Sequence, residues 1–508
     1  MNRLTRRELL RYVSFGSAVI ALAACAPKVI KETVVVEKEV EKVVKETVEV
    51  EKVIKETVVV EKVIKETVVV EKAVHEPVEI DMWGWTGLVW ESVLDEFMEQ
   101  HPWITVNLSE LGENVFGDQK FMTAVAAGKG PSVAIQNKHT FMQFAAKGMY
   151  LDVTPYFEVD GMRRSDWFTM QLNEVTWEGK LYGLPRWGAV RYLHWNREHF
   201  REVGLDPDRP PQTWVELEEY AERLNVRNDK GELERIGFVP YLAGNSWMWL
   251  YGGLNGAKAL SDDKRTVTCD DPKWIEALQW MINFYDNYIG TFELATAFSE
   301  GVTAAGLGNP FDAGKMAMSA DGDWAVANRI RIPDLDWDVA PMPIPEGGQK
   351  YSWSCGYTVT MPPSAKYPQA AWELMKWWTA IPGWQAVARA QVADTKRVWD
   401  REKIQGEAIY WPQDPDYIPA MDMVTKDYVA NMPDHLQKVW DVGQDMLMNH
   451  STGCGADLMG IAALEYWVEM DNAVRTALSH KMTAEEALVN CKEKVQAATD
   501  RAFDALEV

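Results

Sequence analysis

Cysteine and histidine are scarce in this chain, and neither forms a metal or redox motif. The 508 residues include five cysteines and eight histidines, with no CxxC pair and no HExxH. Zinc and thiol-redox chemistry are therefore not supported. GxSxG and Walker A sequences are also absent, which removes the usual signatures of α/β-hydrolases and P-loop ATPases. Four cysteines lie far apart and leave open either one or two disulfides or buried free thiols: Cys269, Cys355, Cys454 and Cys491.

Positive charge is in deficit, and the deficit is unevenly distributed. The chain has 52 Lys and Arg against 76 Asp and Glu, a formal net charge of −24. The first 27 residues are basic, residues 28–76 are nearly balanced, and residues 77–508 carry the acidic excess. A surface that acidic repels phosphate backbones, so we expect no nucleic-acid partner.

The apolar run near the N-terminus is too short to span a bilayer as a permanent helix. Because it follows a basic segment, residues 1–24 predict an export signal. Arg6 and Arg7 resemble the pair of a twin-arginine signal, and LAAC at 22–25 resembles the lipobox of bacterial lipoproteins. Cys25 is then the lipidated residue, and the protein is anchored to the outer face of the cell membrane. The alternative is a cytosolic protein with an apolar N-terminal helix.

Aromatic residues are absent from the segment that follows, which is built from a repeated decapeptide. A period of ten is neither seven nor eleven, so it does not specify a coiled-coil seam. The β-branched content disfavours an isolated helix, while lysine and glutamate keep the segment solvated and discourage β stacking. We therefore predict that residues 25–76 form a spacer of up to roughly 160 Å when fully extended. The alternative is oligomerisation. The repeats are VIKETVVVEK at 29–38, 53–62 and 63–72, and VVKETVEVEK at 43–52.

After Pro77 the hydrophobic pattern alternates between strand and helix periods, which is typical of an α/β fold. Predicted strands are 78–85, 104–111, 237–242, 315–320 and 357–362. Predicted helices are 88–102, 213–226, 273–288, 370–380 and 485–506.

Five segments, in order, carry a resemblance to a known family. They are LYGLPRWGAVRYLHWNREHFREVGLD (181–206), TWVELEEYAERL (213–224), GKMAMSADGDWAVANR (314–329), APMPIPEGG (340–348) and SWSCGYTVTMPPSAKYPQAAWELMKWWT (352–379). Together they resemble the family-1 extracellular solute-binding proteins of ABC sugar importers, similar to the maltose-binding-protein cluster.

The resemblance implies a two-lobed periplasmic-binding-protein fold of type II over residues 77–508, with the ligand in the interlobe cleft and closure by a hinge. Lobe 1 is expected at about 77–188 and 341–393, and lobe 2 at about 189–340 and 394–508. The chain is expected to cross between lobes near 186–191, 338–343 and 392–397.

A sugar site needs aromatic plates for the C–H faces of the ring and polar groups for its hydroxyls. All 24 tryptophans lie at or after Trp83, an excess that we expect to be divided between core and site. Position in the chain and the resemblance select eleven candidates for ligand binding: Trp85, Glu113, Asn137, Arg186, Trp187, Trp247, Asp321, Trp324, Trp353, Gly356 and Tyr357. For several of these, packing or plain surface is the competing interpretation.

Asp321 and Asp323 flank Gly322 and invite a glycosidase or calcium interpretation. Neither is supported, because nothing in the sequence provides the carboxylate separation of a glycosidase and no EF-hand continuation follows. We expect Asp323 to help cap the helix that begins near Trp324.

The sequence therefore predicts a non-enzymatic binding protein that captures a carbohydrate, expected to be an oligosaccharide, and delivers it to ABC permease subunits. No cofactor or metal is expected, and the protein is expected to be a monomer. The alternatives are a secreted carbohydrate-active hydrolase or lyase, and a binding protein for another solute such as a polyamine.

Overall fold

A computed structural model of the chain describes residues 75–85, 91–111, 119–242, 248–404 and 408–507, together with the backbone of four strands between residues 30 and 74. No helix within these ranges combines the length and the apolar character that crossing a membrane requires. The predicted export signal at 1–24 and the lipidation site Cys25 lie outside the described residues.

The chain divides into two compact units, Met1–Glu79 with His101–Thr105, and Ile80–Gln100 with Val106–Val508. In the first unit the repeat forms strands β1 (Ile30–Val35), β2 (Val43–Thr47), β3 (Val59–Val63) and β4 (Val69–Val74). β1 pairs with β4 and β2 with β3, both antiparallel.

The strand pairs differ from a fully extended spacer, because part of the repeat is folded back on itself. β-Branched valine and threonine favour strands. The register also places Glu32 opposite Lys72 and Lys45 opposite Glu61, so opposite charges stand at facing positions.

The strands after residue 77 are β5 (Val78–Trp85), β6 (Ile104–Leu111), β7 (Val133–Asn137), β8 (Thr176–Trp177), β9 (Lys180–Leu181), β10 (Gly183–Ala189), β11 (Arg191–Asn196), β12 (Val226–Arg227), β13 (Leu233–Arg235), β14 (Met318–Gly322), β15 (Trp337–Ala340), β16 (Ser352–Thr360), β17 (Asp414–Pro415) and β18 (Ser451–Gly453).

The α-helices described in this part of the chain are α1 (Glu91–Gln100), α2 (Gln119–Ala126), α3 (Phe141–Ala146), α4 (Thr154–Val159), α5 (Thr169–Asn173), α6 (Arg197–Glu202), α7 (Trp214–Leu224), α8 (Met248–Leu254), α9 (Pro272–Phe284), α10 (Phe292–Ala304), α11 (Trp324–Arg329), α12 (Pro368–Thr379), α13 (Ile381–Glu402), α14 (Ile418–Asp427), α15 (Asp434–Asn449), α16 (Ala463–Leu478) and α17 (Ala484–Glu507).

Two sheets organise the second unit. The larger has the strand order β17-β10-β16-β7-β5-β6, with β18 added parallel to β16. The smaller has the order β14-β11-β15, and both of its pairings are antiparallel. Strands β10 and β11 are buried along their whole length, so both sheets are covered by other elements.

Tryptophan supplies much of the core, because its large side chain removes more apolar surface from water than any other. Eight tryptophans are among the largest fully buried side chains: Trp195, Trp249, Trp274, Trp353, Trp372, Trp378, Trp384 and Trp411. Most of the tryptophan excess noted in the sequence therefore serves packing.

The predicted elements are largely confirmed, with one exception among the strands. Helices and strands with clear periodicity appear within a few residues of their expected bounds. The predicted strand 237–242 is wrong: the segment forms no strand, and only an isolated bridge joins Ile236 to Met316. Pro240 lacks the N–H that a sheet ladder requires, and the backbone of Gly237 lies against Ala221.

Candidate functional site

The chain passes between the two sheets at two of the expected places. β10 ends at Ala189 in the larger sheet and β11 starts at Arg191 in the smaller one. The return passage lies between Ala340, the end of β15, and Ser352, the start of β16.

The expected third crossing, at 392–397, lies inside the continuous helix α13, which packs against α1, α12 and α14. The later helix α15 contacts β11 and β15 of the smaller sheet as well as β16 of the larger one. The sequence-based lobe limits therefore stay predictions.

A cavity of about 270 Å³ lies beside the first crossing. It is lined by residues of β10, α11, α13 and the segments that follow these two helices. Its aromatic lining is formed by Trp187, Trp324, Tyr410 and Trp411. Its polar lining is formed by Arg186, Asn328, Arg331, Gln391, Asp394 and Gln413. Aromatic faces next to amides and charged groups are what a saccharide requires.

Arg186 lines the cavity but is held in a cage of tryptophans. Its guanidinium carbon lies 4.3 Å from the ring centroid of Trp384, 4.8 Å from that of Trp378 and 5.6 Å from that of Trp187. It also donates a hydrogen bond to the carbonyl of Trp378. Burial lowers the pKa of Arg186 to about 9, so the side chain remains charged at neutral pH. Arg186 therefore both packs against tryptophans, the competing interpretation from the sequence, and lines the cavity.

Trp187 and Tyr357 form an aromatic pair on neighbouring strands, with ring centroids 4.9 Å apart. Gly356 makes this approach possible, because a Cβ there would lie 2.0 Å from the carbonyl oxygen of Trp187. Of Trp187, Gly356 and Tyr357, only Trp187 lines the cavity. Gly356 therefore acts through packing.

Trp324, the first residue of α11, lines the cavity just after the end of β14. The guanidinium of Arg191 lies 4.9 Å from the Trp324 ring and 3.7 Å from the Trp353 ring. Trp353 is buried and does not line the cavity. Trp353 therefore supports Arg191, which in turn contacts Trp324.

Asp321 and Asp323 lie on either side of Gly322 in the chain, and neither lines the cavity. Asp321 pairs with Arg329 at 2.9 Å. Asp323 occupies the N-cap position of α11, yet its side chain makes no capping hydrogen bond. The capping expectation is therefore wrong, and the helix starts without that support.

Asn137 ends β7, as expected, but points into packed protein. Its side chain accepts a hydrogen bond from the His139 backbone N–H and so caps a short 3₁₀ turn, Lys138–Thr140. Beside it, Cys355 and Cys454 form a disulfide, with the Cys355 sulfur 2.9 Å from Nδ1 of His139. His139 and the two sulfurs lie close together, but a disulfide offers no thiolate to a metal.

Three candidates remain untested by the geometry. Glu113 and Trp247 lie outside the described residues, and Trp85 is described only as the last residue of β5.

Several lining residues were missed from the sequence. Val387, Gln391 and Asp394 stand on one face of α13, at helical spacing. Tyr410 and Trp411 come from the segment after α13. Asp394 also lies 3.9 Å from Arg331, so a weak ion pair joins the two sides of the cavity. The helical spacing on α13 is the one signal in the sequence that could have grouped these side chains, but no helix was predicted there and nothing indicated which face meets the cavity.

Comparison with known proteins adds the family. A model of the bacterial extracellular solute-binding protein family matches residues 85–382. A binding protein of Brucella abortus (strain 2308) is 24% identical over 300 residues, 57% of this chain and 68% of that protein. The sn-glycerol-3-phosphate-binding periplasmic protein UgpB of Shigella dysenteriae serotype 1 (strain Sd197) is 36% identical over 172 residues, 32% of this chain and 36% of that protein.

Solved structures share the fold. Mannobiose-bound CpMnBP1 has a TM-score of 0.66 at 24% identity, covering 82% of this chain and 99% of that chain. An α-D-tagatose-bound ABC transporter solute-binding protein of Thermotoga lettingae TMO has a TM-score of 0.65 at 23% identity, covering 83% and 99%. The two-lobed fold of type II expected from the sequence is confirmed.

Proposed function

Because the chain belongs to the bacterial extracellular solute-binding protein family, we propose that it captures a carbohydrate by closing its two lobes and delivers it to the membrane subunits of an ABC importer. The observation that carries the proposal is the cavity in which Trp187, from β10 of the larger sheet, and Trp324, from the helix α11 that follows β14, stand beside amide and charged groups. The solved neighbours that bind mannobiose and α-D-tagatose support the same class of ligand.

The size of the cavity bears on the length of the ligand. Its volume of about 270 Å³ lies just below the range of small-molecule sites, which span roughly 300–1,000 Å³. The sequence predicts an oligosaccharide of unstated length, and a short saccharide fits such a space better than a long one.

The charge of the lining bears on the competing solutes. Arg186 and Arg331 face the cavity together with Asp394, which disfavours a polyamine. The same balance, with the likeness to an sn-glycerol-3-phosphate-binding protein over 172 residues, makes a phosphorylated polyol the second candidate.

Titration calorimetry tests the function with mannobiose, maltose, D-tagatose, sn-glycerol-3-phosphate and spermidine. A saccharide is expected to bind, and Trp324→Ala is expected to weaken its binding at least about tenfold, which is about 1.4 kcal/mol. Trp177→Ala, in the β8–β9 hairpin away from the cavity, is the matched control. Unchanged affinity in Trp324→Ala contradicts the site, and tight binding of spermidine alone contradicts the ligand class.

Product analysis after incubation with an oligosaccharide separates this function from a hydrolase or lyase. The members of the family are substrate-binding proteins, and we propose that the chain performs no catalysis. Cleavage products at stoichiometric or greater yield would contradict this.

We propose further that a lipid on Cys25, after export through a twin-arginine-like signal, holds the protein on the outer face of the membrane. Labelled palmitate is expected to be incorporated into the wild type and not into Cys25→Ala. Equal labelling of both proteins would contradict the anchor.

A further inference from the structure

A cluster outside the saccharide cavity brings a histidine next to both cysteines of the disulfide. The Cys355 sulfur lies 2.9 Å from Nδ1 of His139. Ligand atoms of His139, Cys355 and Cys454 all lie within 4.8 Å of one another, and all three residues are buried. The sequence shows no metal motif here, because 216 residues separate His139 from Cys355 and 99 separate the two cysteines. As thiols, the cysteines would complete a Cys₂His set, which zinc uses in proteins.

The strands hold the two cysteines side by side without the help of the S–S bond. β18 pairs parallel with β16, and the register ends with Gly453 beside Ser354. Cys355 and Cys454 are the next residues of the two segments, with Cα atoms 5.4 Å apart. Two sulfurs bound to a tetrahedral zinc stand roughly 3.8 Å apart, because each Zn–S bond is about 2.3 Å long. Rotation of the side chains supplies that separation while the strands stay paired.

A buried carboxylate fastens the turn that carries Cys454. Glu174 is 1% exposed. Its Oε2 accepts a hydrogen bond from the backbone N–H of Gly455 at 2.7 Å, and its Oε1 accepts one from that of Ala456 at 3.1 Å. Neither bond involves the disulfide, so reduction leaves Cys454 beside Cys355.

Contacts on several sides fix the imidazole of His139. The ring centroids of Trp353 and Trp467 lie 5.0 and 4.9 Å away, both in edge-to-face contact. Oδ1 of Asn137 contacts Nδ1 and accepts a hydrogen bond from the His139 backbone N–H at 2.9 Å. The same oxygen lies 3.6 Å from the Cys355 sulfur. The ring therefore presents Nδ1 to the sulfurs, and the Asn137 oxygen borders the same space.

Protonation and charge suit a divalent cation with soft ligands. Burial, together with nearby Arg191, lowers the pKa of His139 well below its ordinary value, so the imidazole is in the neutral form that a metal requires. Thiols that coordinate a metal lose their protons. Two thiolates then neutralise one Zn²⁺, and the loaded site adds no net charge to a buried region, where an unpaired charge is costly.

We propose that, when the Cys355–Cys454 bond is reduced, His139, Cys355 and Cys454 bind one Zn²⁺, with the amide oxygen of Asn137 at the fourth position, and that formation of the disulfide releases the metal. Thiolate and imidazole ligands select zinc over magnesium or calcium. The chain belongs to an extracellular family but is made in the cytosol, where cysteines are kept as thiols. None of the four residues lines the saccharide cavity, so zinc binding does not depend on the identity of the solute.

Release of the metal balances as a thiol–disulfide exchange. A disulfide oxidant, either a small molecule or an oxidoreductase, is attacked by one of the two cysteine thiolates. The two thiolates give up two electrons and form the Cys355–Cys454 bond. The incoming disulfide takes up those electrons with two protons and becomes two thiols, and the metal leaves as Zn²⁺.

Cobalt absorption tests the ligand set on the full chain carrying Cys25→Ala, which removes the lipidation thiol. After reduction with a phosphine and removal of metals, Co²⁺ is expected to bind at one equivalent and to give a thiolate-to-cobalt charge-transfer band that Zn²⁺ abolishes. The disulfide form should give no band. Cys454→Ser and His139→Gln each remove a ligand and are expected to weaken Co²⁺ binding at least about a hundredfold. Cys269→Ser with Cys491→Ser, which removes the other two buried thiols, is the matched control and should bind like the wild type.

An equally strong band in Cys454→Ser, or no band in the reduced chain, would overturn the site. Thermal unfolding adds a test that needs no substitution at the site. Zn²⁺ is expected to raise the melting temperature of the reduced wild type, because it binds the folded form, and to leave that of the disulfide form unchanged. If Zn²⁺ does not stabilise the reduced wild type, the metal site is absent. If it does while no saccharide binds, the metal site stands and the proposed ligand class is wrong.

Discussion

At the scale of single residues, a buried ion pair fixes one wall of the cavity. Nζ of Lys138 lies 2.6 Å from Asp416 Oδ2, 2.6 Å from Gln171 Oε1 and 2.9 Å from the carbonyl oxygen of Trp187. Both charged side chains are fully buried. Because the ammonium has all three of its donors engaged, it holds the backbone that carries the Trp187 ring.

We predict that Asp416→Asn lowers the free energy of unfolding by about 3–5 kcal/mol, since it leaves a buried ammonium without its counter-charge. Replacing both partners, in Lys138→Met with Asp416→Asn, should cost less than the single change. Urea denaturation of the three proteins measures the difference. A single variant as stable as the wild type would show that Lys138 is not compensated by Asp416.

The same scale explains why the candidate residues were only partly predictable. Arg186, Trp187 and Trp324, three of the residues predicted to bind ligand, line the cavity. Trp353 and Asp321 have suitable side chains but are committed to Arg191 and Arg329. Residue type indicates which contacts a side chain can make, but the fold decides which partner it meets. For Trp353 that partner is 162 residues away, and for Asp321 it lies only eight residues away, on the helix that follows.

At the scale of elements, the turn from β14 to α11 positions the Trp324 ring. Gly322 is the last residue of β14, and a Cβ there would lie 2.0 Å from Cζ3 of Trp324. The six-membered ring of the indole therefore lies directly against the glycine, and any larger side chain must displace it.

Gly322→Ala is predicted to weaken saccharide binding about as much as Trp324→Ala, by about tenfold or more, because it moves the same ring. Calorimetry provides the measurement. Gly301→Ala is the matched control: it lies in α10 with nothing within 4 Å of its Cβ position. There alanine should leave affinity unchanged and stabilise the helix by up to about 1 kcal/mol. Wild-type affinity in Gly322→Ala would show that the ring does not contact the ligand.

Helix α13 shows what element prediction from the sequence missed. It begins with Ile381, Pro382 and Gly383, a combination that usually marks a turn. Proline is nevertheless compatible with the first helical turn, and Gly383 is needed because a Cβ there would lie 2.5 Å from the carbonyl oxygen of Trp377. The helix that places Gln391 and Asp394 at the cavity was therefore not predicted, because its first residues have the composition of a turn.

At the scale of the whole molecule, the Cys355–Cys454 disulfide joins β16 to a π-helical turn, Cys454–Met459, across 99 residues of sequence. The sequence left open disulfides or buried free thiols, and both occur. Cys355 and Cys454 are bonded, while Cys269 and Cys491 are buried free thiols. Closing so long a loop restricts the unfolded chain strongly.

Reduction is therefore predicted to lower the free energy of unfolding by about 2–5 kcal/mol. Thermal unfolding with and without a reductant measures the effect. In Cys355→Ala with Cys454→Ala the reductant should change nothing further, since Cys269 and Cys491 are already reduced. If the melting temperature of the wild type is the same with and without the reductant, the disulfide does not stabilise the protein.

The repeat and the binding domain are predicted to act independently. The residues that line the cavity, from Arg186 to Gln413, all belong to the second compact unit, whereas the repeat belongs to the first. Deleting 28–76 should therefore leave the saccharide Kd within about twofold, a change of about 0.4 kcal/mol, and the protein monomeric by light scattering with and without the segment. An oligomer that disappears on deletion would instead assign oligomerisation to the strand pairs. A weaker Kd in a deletion variant that stays monomeric would mean that the repeat contributes to the closed state. Because the decapeptides contain valine, lysine, glutamate and threonine but no aromatic plate, a spacer is the role that their chemistry supports best.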